Sequence, residues 1–140
     1  MNVEVNYLAI LIAGVVSMAV GFLWYGPMLF GKPWMKLMGY AAESMEKAKK
    51  EMGKTYTISF VLTLVTAYVL SHVMVLSQNF FHYDMLTTGL TSAFWMWFGF
   101  VMPVQATDTL FGGKRKKLVA INAGYQLASL LSMGIVIGLF

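Results

Sequence analysis

Apolar residues run almost unbroken through four stretches of the chain, about Tyr7–Pro27, Tyr56–Gln78, Met85–Thr107 and Leu118–Phe140. Each has the roughly 20 residues that a helix needs to cross about 30 Å of hydrocarbon. None shows the strict alternation of a half-buried strand. Backbone polar groups in lipid must bond within their own segment unless a barrel closes, so the four stretches predict four transmembrane helices. A different pattern separates the first two. From Trp34 the apolar residues recur at Leu37, Met38, Ala41, Met45, Ala48 and Met52, and Glu43/Lys47 and Glu46/Lys50 stand four apart on the polar side. A 3.6-residue stripe with such pairs predicts an amphipathic helix over about 34–53, either lying in the membrane interface or packed on the ends of the bundle. The expected fold is therefore all-α, an integral membrane four-helix bundle with an amphipathic interfacial helix in the first cytoplasmic loop. It forms a single transmembrane domain over 1–140.

Charge orients this bundle. All 10 Lys and Arg residues fall in two links. Lys32, Lys36, Lys47, Lys49, Lys50 and Lys54 lie between spans one and two, and Lys114, Arg115, Lys116 and Lys117 between spans three and four. Basic residues in short loops are retained in the cytoplasm, so both links are expected inside and both termini outside. The expected location is the bacterial inner (plasma) membrane, with extracytoplasmic termini. Residues 1–6 carry Glu4 and no basic residue, unlike the start of a secretory signal, so the first span is expected to be retained. Lys47, Lys49, Lys50, Lys114, Arg115, Lys116 and Lys117 are expected to meet anionic lipid headgroups.

Composition supports a lipid solvent. The chain is 59% hydrophobic and 11% charged, with a mean hydropathy of +0.68, whereas soluble domains are about 25% charged. A net charge of +4 and a pI near 9.4 do not imply nucleic acid, because the bases sit in two short loops instead of on one folded face. The absence of Cys excludes disulfides, thiolate nucleophiles and Cys-ligated metals.

Small residues recur every fourth position in three spans: Ala9, Ala13, Ser17 and Gly21; Ser59, Thr63, Ala67 and Ser71; Ala120, Gly124, Ala128 and Ser132. In lipid, such stripes let backbones approach and are expected to mark the inner seams. Span three is aromatic around its middle, at Phe94, Trp95, Trp97, Phe98 and Phe100, which suits core or interface packing. A short match, Met28-Leu-Phe-Gly-Lys32 with Thr109-Leu-Phe-Gly-Gly-Lys114, hints at two parallel helical hairpins.

Polar residues inside lipid are costly and are functional candidates by default. Gln105 and Asp108 stand one turn apart at the inner end of span three; Asn122, Tyr125, Gln126 and Ser129 share one face of span four. Opposed, the two faces would build a polar pocket open to the cytoplasm, or a hydrogen-bonded clamp between the spans. Pro103 should free the Gly99 carbonyl near that level. His72 is a secondary polar site within span two, expected to be hydrogen-bonded. His82 and Asp84 lie in the outer loop, where spacing does not join them to His72 as a metal site, and a bis-His haem would need a second intramembrane histidine. No cofactor or metal is expected. No Ser–His–Asp order, HExxH, P-loop or GxGxxG occurs, so the chain is not expected to be an enzyme.

The run Phe22-Leu-Trp-Tyr-Gly-Pro-Met-Leu-Phe-Gly-Lys-Pro-Trp34, the span-two run Ser59–Leu70, Thr107-Asp-Thr-Leu-Phe-Gly-Gly-Lys-Arg115 and Ile121-Asn-Ala-Gly-Tyr-Gln126 resemble the small four-span proteins of domain of unknown function 1761. The resemblance covers nearly the whole chain. It implies a four-helix membrane domain and no particular activity. Two functional expectations follow from the residues. One is a small transporter or channel for a solute or ion, working as a homo-oligomer, with Gln105, Asp108, Asn122, Tyr125 and Gln126 as its inner vestibule. The other is a non-catalytic accessory or scaffold subunit that docks through its aromatic third span.

Overall fold

Asn6 opens the first helix by accepting the amides of Leu8 at 3.1 Å and Ala9 at 3.2 Å on its side-chain oxygen, which satisfies donors that the first turn leaves orphaned. In the computed structural model, which describes residues 4–39, 42–113 and 115–140 and the side chains of these except 42–49, helix α1 then runs Tyr7–Trp24. A tight turn follows. The Phe30 amide donates to the Trp24 carbonyl at 2.9 Å and the Gly31 amide to the Gly26 carbonyl at 3.0 Å. Any side chain at Gly31 would collide with the Tyr25 and Gly26 carbonyls, so the turn requires glycine there.

Helix α2, Gly31–Met38, ends on Gly39 with φ 68°, the left-handed stop that glycine provides. Helix α3, Ala42–Phe81, is then continuous for 40 residues. The amphipathic stretch over 34–53 is thus divided between α2 and the start of α3 and does not form one helix, because Gly39 reverses the sign of φ in the middle of its period. The second span correspondingly extends beyond Tyr56–Gln78 at both ends. Ala41 and Lys114 lie outside the described residues, and so do the side chains of Glu43, Met45, Glu46, Lys47, Ala48 and Lys49, on which the stripe, the pairs Glu43/Lys47 and Glu46/Lys50 and the lipid-facing assignments of Lys47 and Lys49 depend.

At the far end of α3, His82 takes φ 57° and its amide donates to the Gln78 carbonyl at 2.8 Å. Asp84 then caps α4, Met85–Met96, by accepting the Thr87 amide at 2.9 Å. The helix continues through a π-helical turn, Trp97–Val101, into α5, Met102–Gly112, which ends on Gly113 with φ 63°. Helix α6 spans Lys116–Leu139. There is no strand among the described residues.

Four segments are long and apolar enough to cross a membrane: Tyr7–Trp24, Lys50–Phe81, Met85–Gly112 and Lys116–Leu139. The chain is an all-α integral membrane protein. Helix α6 lies between α1 and α4 and packs most extensively against both, while α3 bridges α1 and α4 on the other side. The apolar core, built on Ile10, Leu70, Met74, Leu130, Met133 and Ile137, fills the half of the bundle nearer the termini.

The small-residue stripes do mark seams in two helices. Ala9, Ala13 and Ser17 in α1 are buried, as are Ala67 and Ser71 in α3. In α6 the register is displaced. Ala120 is exposed, and the closest approach is instead at Gly134, where a Cβ would stand 2.5 Å from the Gly89 carbonyl oxygen. The two short Leu-Phe-Gly matches fold differently, since Gly31 begins α2 whereas Gly112 ends α5.

Candidate functional site

At the end of the bundle that carries the basic loops, the apolar core gives way to a cavity of about 420 Å³. Helix α6 builds its back wall. Asn122, Tyr125 and Gln126 stand at i, i+3 and i+4 on one face, with Val119 one turn earlier, and all four line the cavity. The far end of span three supplies Gln105 and Asp108, three residues apart on α5. The structure therefore lines one cavity with all five residues of the expected vestibule.

Three further walls come from Tyr25, Trp34 and Met38. Tyr25 closes α1, and its hydroxyl donates to Asn122 Oδ1 at 2.9 Å, which fixes the amide orientation and leaves the Asn122 NH₂ directed elsewhere. The Tyr25 ring meets the Tyr125 ring at 5.1 Å and the Trp34 ring edge-on at 5.2 Å. The tight turn after α1 folds α2 back beneath the bundle, and this places Trp34 and Met38 on the cavity. The Trp24-Tyr-Gly-Pro-to-Trp34 run was the available signal. Periodicity alone does not reveal a chain that turns back on itself, so it does not place these aromatics at the site.

The position of α6 is fixed around Asn122. The Trp24 indole donates to the Ile121 carbonyl at 3.0 Å and the Trp97 indole to the Ala123 carbonyl at 2.9 Å. Indoles from spans one and three thus hold the residues on either side of the cavity amide. Trp97 accordingly packs inward, whereas Trp95 and Phe100 of the same aromatic cluster are 64% and 74% exposed. Ser129 does not join the polar face opposite span three. It lies deeper, fully paired with Ser17 at 2.5 Å between the hydroxyl oxygens.

Span three is not broken at Pro103. The π-helical turn before it re-pairs the backbone, with the Met102 amide bonded to the Trp97 carbonyl, and Pro103 falls in the first turn of α5 where no amide is needed. The turn nonetheless changes the azimuth at which Gln105 and Asp108 face α6.

The cavity lining contains one carboxylate, three carboxamides, three aromatic rings and no cationic side chain. Lys32, Lys36, Arg115, Lys116 and Lys117 are exposed around this end without lining it. His72 stands apart on α3. Its Nδ1–H donates to the Tyr68 carbonyl at 2.9 Å, and its ring lies 4.4 Å from that of Tyr68. Among the described residues no group of three His, Asp or Glu side chains is placed to hold a metal ion.

A family model described as a protein of unknown function (DUF1761) matches residues 8–138. No curated protein and no solved structure matches the chain.

Proposed function

The chain belongs to the DUF1761 family of proteins of unknown function, and from its own geometry we propose that it is a small oligomeric membrane transporter whose solute site is the cavity at the basic end. One observation carries the reading: five polar side chains from two membrane-crossing segments converge on one cavity of about 420 Å³ that also has aromatic walls. Polar groups in lipid are costly, so their convergence on an open cavity favours a binding role. The Tyr25 hydroxyl donates to Asn122 and holds that carboxamide as a cavity wall.

With the basic loops in the cytoplasm, the cavity is the inner vestibule. The carboxamides of Gln105, Asn122 and Gln126 offer both donors and acceptors, and Asp108 at the exposed rim supplies attraction for positive charge. Beyond the cavity, Leu70, Met74, Met133 and Ile137 close the interior of a single copy. Passage is therefore assigned to an assembly of two or more copies. The role is binding and translocation, not catalysis. Anionic lipids at Lys50, Arg115, Lys116 and Lys117 complete the proposed surroundings.

A second reading, an accessory subunit, draws on the exposed aromatic side of span three, where the rings of Phe94, Trp95 and Phe98 meet one another 5.5–6.1 Å apart. Accessibility separates the two. Because the chain has no Cys, a single cysteine at Gln126 should react with a membrane-impermeant thiol reagent applied on the cytoplasmic side and be protected from the other side. A cysteine at buried Leu130 should resist both. An unreactive Cys at position 126 would remove the vestibule and leave the accessory role ahead.

A further inference from the structure

We infer that the solute is an amphiphilic organic cation, with its charged head in the end cavity and its apolar arm in a second cavity between α1 and α3. The inference rests on the proposed solute site and names its ligand. The second cavity measures about 300 Å³, and Met18, Gly21, Phe22, Tyr56 and Ser59 line it together with Tyr25 and Tyr125. Those two tyrosines also line the end cavity. This pair of rings, 5.1 Å apart, therefore lies at the boundary of both spaces.

The partition is built to be thin. A Cβ on Gly21 would lie 3.2 Å from the Tyr125 hydroxyl, so the Tyr125 ring lies against a helix surface without a side chain. Tyr25 is held from the other side by its bond to Asn122. A ligand group that competes for that carboxamide would release Tyr25 and join the cavities. On the flank, Phe22 and Tyr56 meet at 5.2 Å and are 57% and 41% exposed, so the second cavity reaches the lipid-facing surface.

The chemistry of each half follows from its walls. Three aromatic rings and a carboxylate line the end cavity with no cationic lining group, which favours a positive charge over an anion. Rings together with the flexible thioether of Met18 suit an apolar arm of variable shape. The carboxamides alone would fit a polyol, but a polyol has no use for an apolar cavity one ring away.

The test uses the full chain in nanodiscs, with calorimetric titration of tetramethylammonium, benzyltrimethylammonium and benzoate. Benzyltrimethylammonium should bind at least tenfold more tightly than tetramethylammonium, and benzoate should not bind. Ser59→Phe, which fills the second cavity, should reduce the benzyl advantage to under threefold and leave tetramethylammonium unchanged. Met18→Trp should do the same should Ser59→Phe not fold. Trp34→Leu should weaken both cations. Equal affinities for the two cations, or an advantage that survives both filling variants, would remove the second cavity from the site. Binding of benzoate, or of neither cation, would overturn the assignment of a cation. The solute site itself is judged separately by reactivity at position 126, which depends on no ligand.

Discussion

Gly134→Ala adds a single methyl group where α4 and α6 come closest. The new Cβ would lie 2.5 Å from the Gly89 carbonyl oxygen, whereas ordinary contact begins near 3.4 Å. The obstacle is backbone, which cannot swing aside as a side chain can, so the two helices must part by roughly 1 Å along this seam. Overpacking of this kind costs about 1–3 kcal/mol. Alanine recovers about 0.5–1 kcal/mol of helix propensity, and with a backbone oxygen as the obstacle the cost belongs at the upper end, so the net effect is a destabilisation of about 1–2 kcal/mol. Gly53→Ala in α3 is the matched control, because nothing lies within 4 Å of its Cβ; it should gain the propensity and raise stability. Both are read by loss of helical circular dichroism on heating and on titration with denaturing detergent, in the same micelles. A Gly134→Ala protein that melts with or above the parent, while Gly53→Ala behaves as stated, would refute the close approach of α4 and α6.

Two further predictions follow from polar groups. Ser17→Ala or Ser129→Ala should each cost about 0.6 kcal/mol, the average for hydrogen bonds between membrane helices, and the double variant should cost less than the sum, because neither hydroxyl is then left behind in the seam. A fully additive double-mutant cycle would mean that the pair at 2.5 Å is not energetically coupled. Asp84, fully exposed, has its carboxylate held below the ordinary range by hydrogen bonds from the Thr87 side chain and amide. Its charged form is therefore favoured by folding, so this contribution is present at neutral pH and is lost as pH falls through the lowered value. Asp84→Asn retains an N-cap acceptor without a titration. Its melting temperature should vary less between neutral and acid pH than that of the parent, and an identical acid loss would remove Asp84 as the cause.

The four spans were legible because lipid leaves a continuous apolar run of this length almost no alternative to a helix. The polar five were legible for a related reason: 3.6 residues per turn places Asn122, Tyr125 and Gln126 on one face whatever surrounds them. What could not be read was the sign of φ at Gly39, which sits within an amphipathic period that continues on both sides. The π-helical turn was equally hidden, because Pro103 signals a lost amide but not how the backbone re-pairs around it. Tyr25, Trp34 and Met38 entered the site through a turn closed by Gly31, a matter of three-dimensional path. The Gly89–Gly134 seam had a signal, Gly89/Ala93 and Gly134/Gly138 at four-residue spacing, displaced by two residues from the stripe ending at Ser132.

Helix α3 carries a mechanical consequence. At 1.5 Å per residue its 40 residues extend about 60 Å, twice the roughly 30 Å that the hydrocarbon occupies, and no proline interrupts it. The span and its extension beyond the bilayer are thus one lever with its fulcrum in the membrane. A tilt of only about 10° would swing one tip by roughly 10 Å relative to the other. Conversely, whatever grips the extension outside the membrane gains leverage over the helix that forms one side of the cavity between α1 and α3.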